Sequence, residues 1–235
     1  VTTKTEQTQS ALLANVDKQR RKMHRKAALA LIGVLGVFAA AVDVPSLRAA
    51  VNPDAHPAAR KQQATADLTR QATVAGVIPD WSTVNQDAQA TAQRSGAAAA
   101  GHVLTQGDLP VEPDTATPSD TGLYVADGRV LDQLSGVGAD AATALGNDVD
   151  DAELIDLMGE SPGALYYLDL MNSRDYMNAA NGVYSALGFT QVMWDTMADE
   201  KVCQTCDEYA ARSPYNLNEV PAVPHGGCRC WCIPA

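Results

Sequence analysis

The sequence is short of several things, and each shortage removes a class of protein. No cysteine occurs before Cys203, so residues 1–202 hold no disulfide framework. Aromatic residues make up only 5% of the chain, so its core must be built from Ala, Leu and Val on packed helices. Basic residues run out early. Residues 1–70 carry a net charge of +6 and residues 71–235 one of −17, within −11 for the whole chain. An acidic body of that size repels nucleic acid, so any contact with phosphate falls to the basic end. There is no Gly-rich phosphate loop, and no His-x-Glu of the kind that zinc deaminases require. The four histidines are dispersed at His24, His56, His102 and His225. No catalytic set emerges, and an enzyme is not expected.

Proline is absent before Pro45, and from the N-cap candidate Ser10 to Asp43 the chain reads as one helix. Its middle carries Lys18, Arg20, Arg21, Lys22, Arg25 and Lys26, and a charge-free run over 27–42 follows. That run falls short of the roughly 20 apolar residues of a spanning helix. It is read first as a core helix, with Gly33 and Gly36 letting a neighbour approach. A secretory signal ending at "AAAVD" and insertion into a membrane are the alternatives. The six basic side chains are candidate nucleic-acid contacts, set against an ordinary solvated helix face. Residues 52–106 read as polar helices broken at Gly76–Pro79 and near Gly101, with apolar stripes so weak that the helices need something to lie against.

The Pro/Asp/Thr-rich stretch 107–122 has the composition of a linker. It divides a helical N-terminal arm, 1–106, from a C-terminal domain, 123–235. After it come turn signals at Asp127-Gly128 and Gly136–Gly138. Asp150 and Glu153 then stand in capping-box spacing ahead of an apolar face. An acidic cluster there lacks the glycine and glutamate register of a calcium loop. A strong helical period runs through Tyr176, Ala180, Val183, Tyr184 and Leu187 and ends at Gly188. "FTQVMWDT" alternates and reads as a strand. The expected fold is mainly α, with long N-terminal helices and a small α+β C-terminal domain whose β-containing tail is pinned by cysteine and histidine.

All five cysteines lie in that tail, spaced Cys203-x2-Cys206-x18-His225-x2-Cys228-x-Cys230-x-Cys232. Two ligand pairs joined by a connector of this length match a zinc-ribbon pattern. A two-residue gap aims both side chains at one ion, and a structural zinc closes its tetrahedron with four N/S ligands. Cys203, Cys206, His225 and Cys228 are the first choice, with Cys230 as competitor. In an extended strand Cys228, Cys230 and Cys232 would share a face, so one thiol is surplus. A disulfide in an oxidising compartment is the alternative, which the odd count disfavours.

The stretch "VMWDTMADEKVCQTCDEYAARSPYNLNEVPAVPHGGCRCWCIP" resembles the C-terminal signature of the phage Mu F-like and SPP1-type minor head, or head-morphogenesis, proteins. The matching elements are Trp194, Asp199-Glu200, Cys203, Cys206, Pro224, His225, Cys228, Arg229 and Cys230. Cys232 looks like an addition, and Arg174-Asp175-Tyr176 stands where an Arg-Thr-Glu run is common. The resemblance implies a minor structural protein of a tailed-phage head, located in the virion. Its partners would be the portal or major capsid protein, and packaged DNA through the basic helix. Membrane contact during delivery is a variant of this expectation. An exported or membrane-associated zinc-binding effector is the competing one.

Overall fold

The computed structural model describes residues 4–106, 126–196, 202–228 and 230–235. The expected linker at 107–122, the acidic turn at Asp199-Glu200 and Arg229 lie outside them. The chain is mainly helical with one small sheet. Helices α1 (Lys4–Ala41), α2 (Val44–Ala50), α3 (Pro57–Val74) and α4 (Ile78–Gln106) are followed by α5 (Ala126–Gly146), α6 (Asp151–Gly159) and α7 (Pro162–Ala186). Strand β1 (Gln191–Asp195), helix α8 (Gln204–Ala211) and strands β2 (Tyr215–Asn216) and β3 (Trp231–Pro234) complete the order.

Two compact units interleave along the chain. One comprises Val1–Arg25, Ala88–Gly122 and Leu170–Ala235; the other comprises Lys26–Asp87 and Leu123–Asp169. Helices α1, α4 and α7 each contribute a segment to both.

The second unit is all helix. Leu31, Leu35 and Phe38 stand one and two turns apart on α1 and are wholly buried, as are Leu68, Leu134 and Leu154, and Phe38 packs on the buried Trp81 with ring centroids 5.7 Å apart. By length and composition, Val16–Ala41 is able to cross a membrane once its basic residues are included, which the charge-free run alone is not. About a third of the most apolar window of Val16–Ala41 is buried, and its buried residues include Leu31, Leu35, Phe38 and Ala39. A Cβ added at Gly33 or Gly36, where a close approach is expected, would meet nothing, although the Gly36 backbone lies 3.8 Å from where a Cβ at Gly159 would stand. The close approaches fall elsewhere. A Cβ at Gly136 would stand 2.4 Å from the Gly163 backbone, and one at Gly138 would stand 2.8 Å from the Thr65 Cα. Helix α5 therefore runs unbroken through the glycines that read as turns: they are where α7 and α3 come closest to it. The polar face of Trp81 is also satisfied. Its indole N–H donates to Gln133, which exchanges hydrogen bonds with Asn85 at 2.9 Å.

Caps explain where the helices begin. Asp43 and Asp150 accept from Ser46 and Glu153 respectively, so the acids at 150–153 begin a helix as expected. "GESPG", residues 159–163, has the letters of a nucleophile elbow but joins two helices. Ser161 is fully buried; its hydroxyl donates to Asp140 and accepts from the Ala164 amide. An elbow presents its serine exposed at the end of a strand, so Ser161 is a helix cap.

The first unit holds the sheet. Its α4 segment buries Ala92, Ala99, Ala100 and Leu104, a stripe so poor in large side chains that hydropathy undervalues it. The expected break at Gly101 does not occur. Gly96 sits where α4 meets α7, and a Cβ there would be 2.1 Å from the Tyr176 carbonyl oxygen. Residues 57–106 thus lie against other parts of this chain. Helix α7 stops at Gly188, which takes a φ of +86°, and the Phe189 amide donates back to the Tyr184 carbonyl. The chain turns into β1, whose Val192 and Trp194 are buried while Gln191 and Met193 face out. The sheet is antiparallel in the order β2-β1-β3, with Val192 opposite Tyr215 and Trp194 opposite Cys232.

These contacts distinguish two glycines of α4. Gly96→Ala should destabilise the protein by about 1–3 kcal/mol, because backbone must move to admit the methyl group. Gly101→Ala, which meets open space, should be neutral or stabilise by up to about 1 kcal/mol. Urea unfolding of both variants checks the contrast; equal effects would contradict the α4–α7 contact.

Candidate metal centre

The cluster is assembled from two short pieces of chain. The first is the start of α8. Cys203 is its N-cap, and its sulfur accepts from the Cys206 amide at 3.4 Å. The C-x-x-C pair therefore spans the first helical turn, where exposed amides favour a thiolate. The second is the turn after Pro224, in which Gly227 takes a φ of +71° that side chains avoid. It brings His225 and Cys228 to the same place, and Cys230 follows before β3 begins.

The donor atoms converge. His225 Nε2 lies 3.0 Å from Cys203 Sγ and 3.9 Å from Cys206 Sγ, and the Cys206 and Cys228 sulfurs are 3.6 Å apart. A tetrahedral ion with bonds of about 2.3 Å to sulfur sets its ligand atoms about 3.8 Å apart. Disulfide sulfurs, by contrast, are bonded at about 2.05 Å; all five thiols here are free. Two groups, Cys203/Cys206/His225 and Cys206/Cys228/Cys230, each have their donor atoms within 4.8 Å of one another and can hold a metal ion. Cys206 belongs to both. His225 places its other nitrogen 2.7 Å from the Gly226 carbonyl. That oxygen only accepts, so Nδ1 carries a hydrogen, and Nε2 is the nitrogen that faces the thiols.

Protonation is unevenly distributed. Burial raises the Cys203 thiol, but hydrogen bonds from the Cys206 backbone and side chain and from His225 outweigh it, and the net shift is downward. A hydrogen bond from Cys230 holds Cys228 below the usual thiol range. Cys206 is raised by burial, and Cys230 by its hydrogen bond to Cys228 and then by burial. For His225, burial works downward, but the Gly226 carbonyl and Cys203 carry the ring above its ordinary value. Metal binding to such a set displaces protons.

The five candidate ligands are thus brought together, and the fifth cysteine is not. Cys232 is wholly buried on β3, hydrogen-bonds to Asn181 of α7, and is pushed up to about 12 by burial. The expectation that Cys228, Cys230 and Cys232 share one strand face does not hold. Extended pairing starts only at Trp231, so the strand's alternation does not reach back to Cys228. Cys232 is the surplus thiol.

The basic cluster divides. Lys18, Lys22, Arg25 and Lys26 are exposed on α1, and Arg21 pairs with Asp17 at 2.8 Å while remaining 68% exposed. Arg20 turns inward. It is 6% exposed and donates to the Cys230 carbonyl and to Ser173, so it is not available to nucleic acid. Arg174 of α7 donates to the Val223 carbonyl at 3.3 Å. These two arginines hold the chain on either side of the His225–Cys228 turn. Sequence spacing could not single out either one, although both stand among residues already noted. No family model matches the chain, and neither a curated protein nor a solved structure matches it.

Serine substitutions separate the two kinds of cysteine. Cys206→Ser removes the donor common to both groups and should abolish stoichiometric metal retention after gel filtration. Cys232→Ser should retain the metal while losing about 1–3 kcal/mol of stability, because a polar hydroxyl replaces a buried thiol. Elemental analysis beside thermal unfolding reads both; metal loss in the Cys232 variant would contradict the assignment.

Proposed function

We propose that this chain is a structural minor head protein of a tailed bacteriophage, associated with the portal or the capsid interior. One zinc ion would pin its C-terminal unit. The observation that carries the proposal is the order of elements around the cluster: a tryptophan-bearing strand, C-x-x-C on a helix turn, then Pro-His-x-x-Cys-x-Cys entering a last strand. That order is the family-like signature of the sequence, and its donors converge within metal-binding distance. Zinc fits a set of thiols and one imidazole better than the hard, oxygen-seeking cations do.

A structural role is favoured over a catalytic one. Cys206, Cys228 and Cys230 are each 4% exposed or less, and five donors leave no position that must be filled by substrate. The exposed row of Lys18, Lys22, Arg25 and Lys26 suits packaged DNA, which it would meet through phosphate charge alone. A second reading, an exported or membrane-associated zinc protein, is favoured by one observation. Val16–Ala41 has the length and composition to enter a bilayer, and Leu29 and Val37 are more than 60% exposed on it. Flotation of the full chain with anionic liposomes would support that reading over the first.

Protein purified without chelator should contain close to one zinc per chain, and stripping it should lower the unfolding midpoint by roughly 10 °C or more. In parallel, the full chain should co-sediment with portal or capsid assemblies of its own phage. Zinc below a tenth of stoichiometry would remove the metal from the proposal, and failure to bind either assembly would remove the virion role.

A further inference from the structure

Arg20 presents an energetic puzzle. A guanidinium cannot lose its charge, and a buried charge is costly unless an opposite one accompanies it. Arg20 is 6% exposed, yet the three acceptors its guanidinium meets among the described residues include no carboxylate. These are His24 Nε2 at 3.4 Å, Ser173 Oγ at 3.2 Å and the Cys230 carbonyl oxygen at 3.4 Å. The nearest acid along the helix, Asp17, has its carboxylate engaged by Arg21 at 2.8 Å. Among the described residues, no carboxylate accepts a hydrogen bond from Arg20.

The cluster supplies a negative charge when it binds metal. A divalent ion held by three thiolates and an imidazole leaves a net charge of −1, and four thiolates leave −2. Cysteine ligates as thiolate, so the occupied site carries this net negative charge beside Arg20. Arg20 reaches the cluster through the backbone of Cys230, itself one of the candidate ligands.

We propose that Arg20 is the built-in counter-charge of the metal centre: α1 buries a guanidinium against the Cys230 carbonyl so that a thiolate-rich, net-negative metal complex is the favoured occupant. Its role rests on the zinc reading above and extends it. Arg20 is a positioning residue; it touches the ligand's backbone and not the ion. Its effect is to tighten binding of the divalent ion by stabilising the charge that the thiolates acquire.

The experiment uses the full chain, stripped of metal and titrated with Zn²⁺ against a chelator of known affinity. Arg20→Met removes the charge and keeps much of the volume, Arg20→Lys keeps the charge, and Arg21→Met is the control for an exposed basic residue two-thirds in solvent. Outer residues around metal sites commonly alter affinity by about 10–100-fold, and a loss in that range is expected for Arg20→Met. Arg20→Lys should stay within about threefold of the parent and Arg21→Met should match it, because charge at the cluster and not charge on the helix is the operative quantity. Helical content at saturating zinc confirms that each variant is folded. Equal affinity in Arg20→Met and the parent overturns the proposal. So does equal weakening in Arg20→Met and Arg20→Lys, which would mark a packing role, as would failure of Arg20→Met to fold when Arg20→Lys fails with it. A parent chain that binds no zinc defeats the zinc reading itself, a result distinct from any difference among the variants.

Discussion

The convergence of two donor triplets that share Cys206, one with Cys203 and His225 and one with Cys228 and Cys230, is the constraint around which the first unit is organised. A sheet of three strands, two of them with four residues or fewer, needs packing against helices to be stable in water. It is joined to the rest of the unit from both sides. Trp231 packs on Tyr176 of α7 with ring centroids 5.1 Å apart, and Trp194 meets Tyr209 of α8 edge-on at the same separation. The cysteines lie in this same core: Cys206, Cys228 and Cys230 are counted among its buried residues beside Val192, Trp194 and Trp231. A chain so poor in aromatics places most of those it has where helix, strand and cluster meet.

Two neighbouring features make the donor set competent. Gly227 gives the turn its left-handed residue, and the Gly226 carbonyl fixes which nitrogen His225 offers. The turn is then restrained at both ends by arginines from helices far away in sequence, Arg174 at Val223 and Arg20 at Cys230. Main-chain carbonyls are suitable anchors, because holding them fixes the backbone without consuming a ligand side chain. The α4–α7 contact at Gly96 and the α7–β1 turn at Gly188 bring α7 to the position from which it does this.

Much of this was legible in the sequence wherever the signal was local. The strand around Trp194, the helix stop at Gly188, the cap at Asp150 and the grouping of Cys203, Cys206, His225, Cys228 and Cys230 each follow from residues within a few positions of one another. The losses have physical causes. Gly136 and Gly138 look like turn residues, because a glycine needed for close helix packing and one needed for a left-handed turn are the same letter. Arg20 reads as one of six surface cations, because its partner lies 210 residues away. Cys232 reads as equivalent to Cys228 because the spacing alone does not show that strand pairing begins at Trp231. The stripe Ala92, Ala99, Ala100 gives only a weak apolar signal because small side chains bury little area each, though they allow backbones to approach closely.

The claim on which the rest depends is that sulfur and imidazole, and not oxygen, surround a metal ion at this point. X-ray absorption at the zinc edge, on the full-length chain purified without chelator, tests it directly. The expected spectrum has three or four sulfur neighbours at about 2.3 Å, with a nitrogen at about 2.0–2.1 Å if His225 is among the ligands. A shell made only of oxygen and nitrogen neighbours would contradict it and would return the five cysteines to the status of core residues.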